Sequence, residues 1–127
     1  MRKFPKRAKL PLILQFFQKY TDEQNPKKTA DIIEYLAGHG IKAERKAVYS
    51  DMELLRELGY DIIKTTDGGA AYFLGARQLE VAEAEICASA VCAAKFITQK
   101  KSAELINRIG SMFSAGQAAL LRGRQEL

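Results

Sequence analysis

The sequence of 127 residues has little of the chemistry on which catalysis or metal binding usually depends. It contains one histidine, two cysteines and no tryptophan. We expect His39 to be a solvent-exposed turn residue because glycines flank it, and Asp22-Glu23 to be a hydrated acidic pair in a polar loop. No nucleophile has an identifiable base partner, and neither a phosphate-binding glycine loop nor a metal-ligand spacing occurs. We therefore predict that the protein is not an enzyme and that it uses no cofactor and no metal.

Long apolar runs are also missing, since no segment approaches the roughly 20 residues that a membrane span requires. The basic start of the chain is interrupted by Pro11 and Gln15, and no small-residue cleavage site follows it. We therefore expect neither a signal peptide nor a membrane anchor, and a cytoplasmic location. The spacing of Cys87 and Cys92 fits neither a redox pair nor a zinc knuckle, which predicts two small buried thiols in a reducing compartment.

What the chain does have is an excess of positive charge, with a net charge of +5 and an isoelectric point near 9.3. This excess favours a polyanionic partner. Residues 1–76 carry 13 Lys/Arg and 10 Asp/Glu, and residues 77–127 carry 7 and 5, so neither part is an extreme polycation. In the first part the basic residues gather at 2–9, 27–28 and 42–46. The 2–9 cluster either adds phosphate contacts or is a disordered tail.

Hydrophobic spacing predicts three helices in the first part, at Ala8–Tyr20, Thr29–Ala37 and Glu44–Leu58. Thr29 is a suitable N-cap for the second helix, and the glycines around His39 end that helix. The third helix is predicted to bury one stripe of apolar side chains and to expose a polar face. The predicted buried stripe consists of Val48, Met52, Leu55 and Leu58. We expect Ile41 to fill the turn between the two helices.

After Gly59 the pattern becomes extended, with two β-prone runs at Ile62–Thr65 and Ala71–Leu74 around an Asp-Gly turn. From residue 77 onward the pattern is helical again, beginning with an Ala-rich helix at Val81–Ala94. The fold class is therefore mainly α with a small β-hairpin. We predict a winged helix-turn-helix over residues 1–76, followed by a helical linker or dimerisation segment over residues 77–127.

A helix that enters the major groove of duplex DNA must be held by other helices on its back, and a short glycine-containing turn provides that arrangement. The third helix has basic and polar side chains on its outer side, and the following hairpin is placed to act as a wing on the flanking backbone. Lys27-Lys28 precedes a helix N-terminus, where a phosphate is favoured. The residues that we predict to contact DNA are Lys27, Lys28, Thr29, Lys42, Arg45, Lys46, Tyr49, Ser50, Arg56, Lys64, Thr65 and Thr66.

The segment Lys46–Tyr60 resembles the recognition helix of the DeoR/YafY-like winged-helix regulators, whose pattern runs basic-x-hydrophobic-Tyr-Arg-Asp and ends in Leu-Gly-hydrophobic. The segments at 41–45 and 95–102 look like the version found in WYL-domain regulators. The resemblance covers nearly the whole chain and implies a bacterial transcriptional regulator that binds double-stranded DNA in a sequence-specific manner. Ser50 stands where the family usually has arginine, and Glu44 replaces the usual N-cap serine. The sequence ends before any WYL domain, so we expect an effector to act only through such a C-terminal domain.

The main alternative is a protein-interaction module that assembles through the Ala-rich helix. This helix is apolar around most of its circumference and therefore requires a partner surface. One hypothesis is that residues 77–127 form a homodimer that places two winged helices on adjacent half-sites. If no homodimer forms, we expect the helix to pack only against its own neighbours or against a further C-terminal domain.

Overall fold

The computed structural model describes residues 2–77 and 79–125, without the side chains of residues 124 and 125. The chain divides into two compact units, Met1–Gly75 and Ala76–Leu127. The boundary that the sequence predicts, after residue 76, lies one residue from this division. The fold class is confirmed: the protein is mainly helical with a small two-stranded antiparallel hairpin. No helix in the described part of the chain is long and apolar enough to cross a membrane.

The first unit contains three helices, α1 (Lys9–Tyr20), α2 (Thr29–Gly38) and α3 (Arg45–Glu57), after a short 3-10 turn at Lys6–Ala8. Each helix has an apolar stripe that faces the same centre, so the three stripes form one core. The largest side chains that are almost fully buried in this core are Phe17, Ile13, Ile32, Leu36, Met52 and Leu55. At about 1.5–3 kcal/mol for each large apolar side chain removed from water, this core is the main source of the unit's stability.

The turn between α2 and α3 has a defined backbone geometry. The Ile41 N–H donates to the Leu36 carbonyl at 2.9 Å, and the Gly40 N–H donates to the Ala37 carbonyl at 3.0 Å. These two bonds form a Schellman motif, which needs a residue with positive φ after the C-cap. Gly40 has that conformation, with φ of 80°. Ile41 is 3% exposed and packs in the core with Leu36, which confirms the prediction that it fills the turn.

The hairpin consists of β1 (Ile62–Thr65) and β2 (Ala71–Leu74), as predicted, with Ile62 opposite Leu74 and Thr65 opposite Ala71. Gly68 and Gly69 in the connecting loop both have positive φ. On its other edge β2 forms a bridge to Lys27: the Lys27 N–H donates to the Tyr72 carbonyl, and the Tyr72 N–H donates to the Lys27 carbonyl, each at 2.8 Å. This bridge fixes the segment before α2 against the hairpin, and neither composition nor spacing predicted it.

The second unit contains α4 (Val81–Ala93), α5 (Gln99–Gly110) and α6 (Ala115–Gln125), and each pair of these helices is in contact. Its core is small and consists of Ala84, Ala88, Ile106, Phe113 and Leu121. Small residues allow the helices to approach closely, since a Cβ on Gly110 would lie 3.4 Å from the Cβ of Ala118. The Thr98 side chain caps α5 by accepting the Lys101 N–H at 3.2 Å.

Several predictions about individual side chains are wrong. Cys87 and Cys92 are exposed rather than buried, because only one side of α4 faces its neighbouring helices. Leu58 is 61% exposed, since it is the C-cap residue that follows the last turn of α3. Asp22 is 2% exposed and its carboxylate accepts the Gln24 N–H at 2.8 Å, so it closes a tight loop.

The helix ends also differ slightly from the sequence prediction. Thr29 is the first residue of α2 rather than its N-cap, and Lys28 occupies the cap position. The Lys28 N–H donates to the carboxylate of Asp31 at 2.9 Å, so the acid in the first turn satisfies the N–H of the cap residue. The third helix is shorter by one residue at each end than predicted.

Candidate nucleic-acid interface

The outer side of α3 is the centre of the candidate interface. Val48, Met52 and Leu55 are at most 1% exposed and hold the helix on the core, so its orientation is fixed. Arg45, Lys46, Tyr49 and Ser50, which the sequence predicts as DNA contacts, are all exposed on the N-terminal half of this helix. With 100° between successive residues, these four side chains span about 140° of the helix circumference. They are therefore presented together on one exposed side.

The first turn of α3 has an unusual charge for a helix N-terminus. It contains Arg45 and Lys46 and no acidic residue, although the helix dipole favours negative charge at this end. The N-cap residue, Glu44, makes no side-chain hydrogen bond to the end of the helix. The positive end of the helix dipole and two basic side chains therefore occur together beside the single carboxylate of Glu44, and this balance of charge favours the binding of an anion such as a phosphate.

Tyr49 connects three elements of the first unit. Hydrogen bonding by the side chains of Thr29 and Arg45, together with the positive charges of Arg45 and Lys64, lowers the pKa of Tyr49 from its ordinary value of 10.0. Its ring also lies 6.4 Å from the ring of Tyr72, measured between centroids. The Tyr49 hydroxyl therefore lies near the start of α2, the start of α3 and strand β1. Because the residue is 41% exposed, the same hydroxyl remains accessible to a ligand.

Two further predicted residues flank this cluster on the segment before α2. Lys28 is exposed, and Lys27 is partly buried because its backbone is paired with Tyr72. On the hairpin, Lys64 and Thr66 are exposed. Lys42, in the turn before α3, is exposed as well. The structure therefore places basic side chains on the turn, on α3, on the hairpin and before α2, all within one unit.

Three of the predicted contact residues are engaged within the fold. The Arg56 Nε donates to the Ile62 carbonyl at 2.9 Å, and its guanidinium pairs with Glu53, so this side chain connects α3 to β1. Thr29 is only 3% exposed and interacts with Tyr49. Thr65 is partly buried, and its hydroxyl accepts the Asp67 N–H at 3.4 Å within the hairpin. We assign these three residues a positioning role.

The basic segment at the start of the chain packs on the helix-turn-helix from Arg2 onward and is not a free tail. The Phe4 N–H donates to the His39 carbonyl at 2.9 Å, and the Lys9 ammonium pairs with the carboxylate of Asp51 at 3.2 Å. The His39 ring contacts the rings of Phe4 and Tyr35 and is partly buried, so the prediction of a solvent-exposed turn histidine holds only in part. No signal in the sequence indicated these long-range contacts.

Comparison with protein-family models, with curated proteins and with solved structures finds no match for this chain. The resemblance to DeoR/YafY-like regulators therefore stays a prediction from the sequence. No group of three or more His, Cys, Asp or Glu residues that could hold a metal ion occurs in the described part of the chain.

Proposed function

We propose that this protein binds duplex DNA, with the exposed side of α3 in the major groove and the hairpin on the flanking backbone. The observation that carries the proposal is the cluster of Arg45, Lys46 and Tyr49 on a helix whose opposite side is fixed in the core. A recognition helix needs both features, since base contacts depend on a fixed position in the groove. The acid-free first turn of α3 supports an anionic partner.

The geometry suggests separate roles for the basic residues. Arg45 or Lys46 donates to guanine O6 and N7, which is a common base-specific contact. Lys27, Lys28, Lys42 and Lys64 lie around α3 and contact phosphates, while Tyr49 and Ser50 reach either a phosphate or a base edge. In this proposal the protein acts in the cytoplasm as a sequence-specific transcriptional regulator, as its resemblance to the DeoR/YafY-like family implies.

The test is a titration of the purified protein against fluorescent duplex DNA, both random in sequence and taken from upstream of its own gene. Neutralisation of about four to six phosphates by each subunit gives a log–log salt slope of about −4 to −5 per subunit. We expect tight, salt-dependent binding with a preference for the upstream fragment. A complex that is insensitive to salt, or no binding to either duplex at low salt, would contradict the proposal.

Charge-reversal variants test whether α3 is the DNA contact surface. The double variant Arg45→Glu/Lys46→Glu is expected to weaken DNA binding by at least about 100-fold, since it replaces two favourable phosphate or base contacts by repulsion. The matched control is Lys95→Glu/Arg108→Glu, which changes the net charge by the same amount on exposed residues of the second unit. Equal losses in the two variants would show that only the overall charge matters and that α3 is not the contact surface.

A second candidate function is assembly with other protein chains through the second unit. Ile86 on α4 is 71% exposed and Phe96 is 89% exposed, which are large fractions for apolar side chains. If the protein is only such an adaptor, the reversal of Arg45 and Lys46 leaves its assembly unchanged and no duplex binds.

We further propose that the second unit forms a homodimer. The two copies of the first unit would then contact two half-sites that lie about one helical turn of DNA apart. Dimer formation would cover the exposed apolar side chains of Ile86 and Phe96. Sedimentation at increasing concentration is expected to show a dimer, and Ile86→Glu is expected to shift it toward the monomer. A strict monomer at high concentration would exclude this arrangement.

A further inference from the structure

The second unit contains a groove between the end of α4, the start of α5 and the end of α6. Its volume is about 760 Å³, within the range of about 300–1,000 Å³ that is typical of small-molecule sites. Apolar and polar groups both contribute to its lining, which is formed by Cys92, Ile97, Gln99, Lys100, Ser102, Ala103, Ile106, Asn107 and Arg122. All of these residues belong to the second unit, so the groove is separate from the candidate nucleic-acid interface.

The charged residues of the lining are both positive. Among the residues that the structure describes, Lys100 and Arg122 contribute to the groove and no acidic side chain does. Neither cation has an ion-pair partner among the residues that the structure describes, whereas the adjacent Lys101 pairs with Glu104 at 3.6 Å. Lys100 also lies in the first turn of α5, which contains no acid. The Nη1 of Arg122, by contrast, lies 3.6 Å from where a Cβ on Gly110 would be, at the other end of α5. An anion in the groove would therefore be attracted by one cation at either end, with the favourable end of the helix dipole on the Lys100 side.

The rest of the lining favours a ligand that is not a bare ion. Ile97, Ala103 and Ile106 provide apolar surface, and Ile106 is 8% exposed at the base of the groove. Ser102, Gln99 and Asn107 add hydrogen-bonding groups. A ligand that fits this set has an anionic head near either Lys100 or Arg122 and an apolar body against the isoleucines.

We propose that this groove binds a small organic anion in which a carboxylate or phosphate head is joined to an apolar body of several carbons. The proposal does not depend on DNA binding. It also differs from the expectation that an effector acts only through a further C-terminal domain, because the site lies entirely within the second unit.

The two cysteines provide an internal test, with octanoate as the probe. Cys92 lines the groove, and Cys87 is exposed on the same helix outside the lining. Cys87→Ser leaves only Cys92 to react with N-ethylmaleimide, and Cys92→Ser leaves only Cys87. At an octanoate concentration about ten times its measured Kd, alkylation of Cys92 should slow about tenfold, because only the free fraction reacts. Alkylation of Cys87 should stay within about twofold of its rate without octanoate.

Charge and head-group controls complete the experiment. Lys100→Gln/Arg122→Gln is expected to weaken octanoate binding at least about tenfold, whereas Lys101→Gln/Arg108→Gln, which removes two charges outside the lining, should change it less than about twofold. Circular dichroism checks that each variant is folded. Neutral octanamide should give no protection of Cys92, and inorganic phosphate should give less protection than octanoate.

Five results would overturn the proposal, and four of them concern octanoate and the variants. These are no octanoate binding by calorimetry, equal protection of the two cysteines, protection by octanamide as strong as by octanoate, or equal losses in the two charge variants. Protection of Cys92 by a short DNA duplex but not by octanoate would also overturn it, since the groove would then be a nucleic-acid contact. The DNA-binding proposal is tested separately at Arg45 and Lys46, so either proposal can fail while the other stands.

Discussion

The two units of this protein are stabilised in different ways. The first unit fills its core with large side chains such as Phe17, Ile32 and Met52, which are almost completely buried. The second unit has a smaller core, in which the alanines of α4 let the helices approach closely. Ile86 and Phe96 of this unit are 71% and 89% exposed, more than any large apolar side chain that the structure describes in the first unit. Closely packed large side chains allow only one packing arrangement, so the core of the first unit can hold α3 in a fixed position. A core of small residues buries less area and leaves apolar surface for a partner or a ligand.

The largest expected effect comes from a truncation in the core of the first unit. Phe17→Ala should lower the free energy of unfolding by about 3–5 kcal/mol, since it removes a fully buried ring and leaves a cavity. Urea denaturation followed by circular dichroism measures the change. Amide hydrogen exchange should show lost protection within residues 2–75 and unchanged protection within 79–125. Equal loss in both ranges would mean that the two units unfold together, which would contradict the view that they are stabilised in different ways.

The second unit should instead be sensitive to enlargement. Ala88 is completely buried where α4 meets its neighbours, so Ala88→Leu forces extra methyl groups into a close contact. We expect a loss of about 1–3 kcal/mol in the free energy of unfolding, from the cost of overpacking. Ala90→Leu, at an exposed position of the same helix, is the matched control and should be nearly neutral. Stabilisation by Ala88→Leu would show that the small-residue core has unfilled space.

Two glycines allow a sharper comparison of backbone constraints. Gly40→Ala should destabilise the first unit by about 1–2 kcal/mol, because an L-residue is strained at positive φ. The added Cβ would also lie 2.8 Å from Cδ of Lys3. Gly123→Ala lies in α6 with open space around the position, and should stabilise the protein by about 0.5–1 kcal/mol through helix propensity. Thermal unfolding of both variants measures the difference, and shifts of the same sign would contradict this account.

An effect on function rather than on stability is expected at Tyr49. Tyr49→Phe removes a hydroxyl next to Thr29 and Arg45 and should weaken DNA binding roughly fivefold. Because the folded-state pKa is lowered, the phenolate is favoured by folding: this contribution is fully present above the ordinary pKa and is lost as the pH falls through the lowered value.

An absorbance titration at the phenolate band checks the same pKa. One tyrosine should ionise before the others, and Tyr49→Phe should remove that step. DNA binding should weaken as the pH rises toward this lowered pKa, since the phenolate repels phosphate. A first ionisation that persists in Tyr49→Phe would show that another tyrosine has the lowered pKa. Tyr35 serves as the contrast, because burial and the nearby Tyr20 raise its pKa.

Local pattern was sufficient to predict the elements of this fold. The three-to-four-residue spacing located each helix of the first unit, and the β-prone runs around Asp67-Gly68 gave both strands with their observed bounds. The exposed positions on α3 followed from the same helical period, because a buried stripe determines which side chains face outward. These features depend on neighbours in the sequence, which is why a sequence alone determines them.

Contacts between distant residues were decided only by the tertiary structure. The bridge between Lys27 and Tyr72, the ion pair between Lys9 and Asp51, and the packing of His39 on Phe4 join segments that share no local pattern. The same reason explains Arg56, which looked available for DNA but donates to the carbonyl of Ile62. Composition predicted burial of Cys87 and Cys92, but burial depends on which neighbours cover a helix. In this protein, periodicity determined the secondary structure, and packing determined which polar and apolar side chains remain accessible.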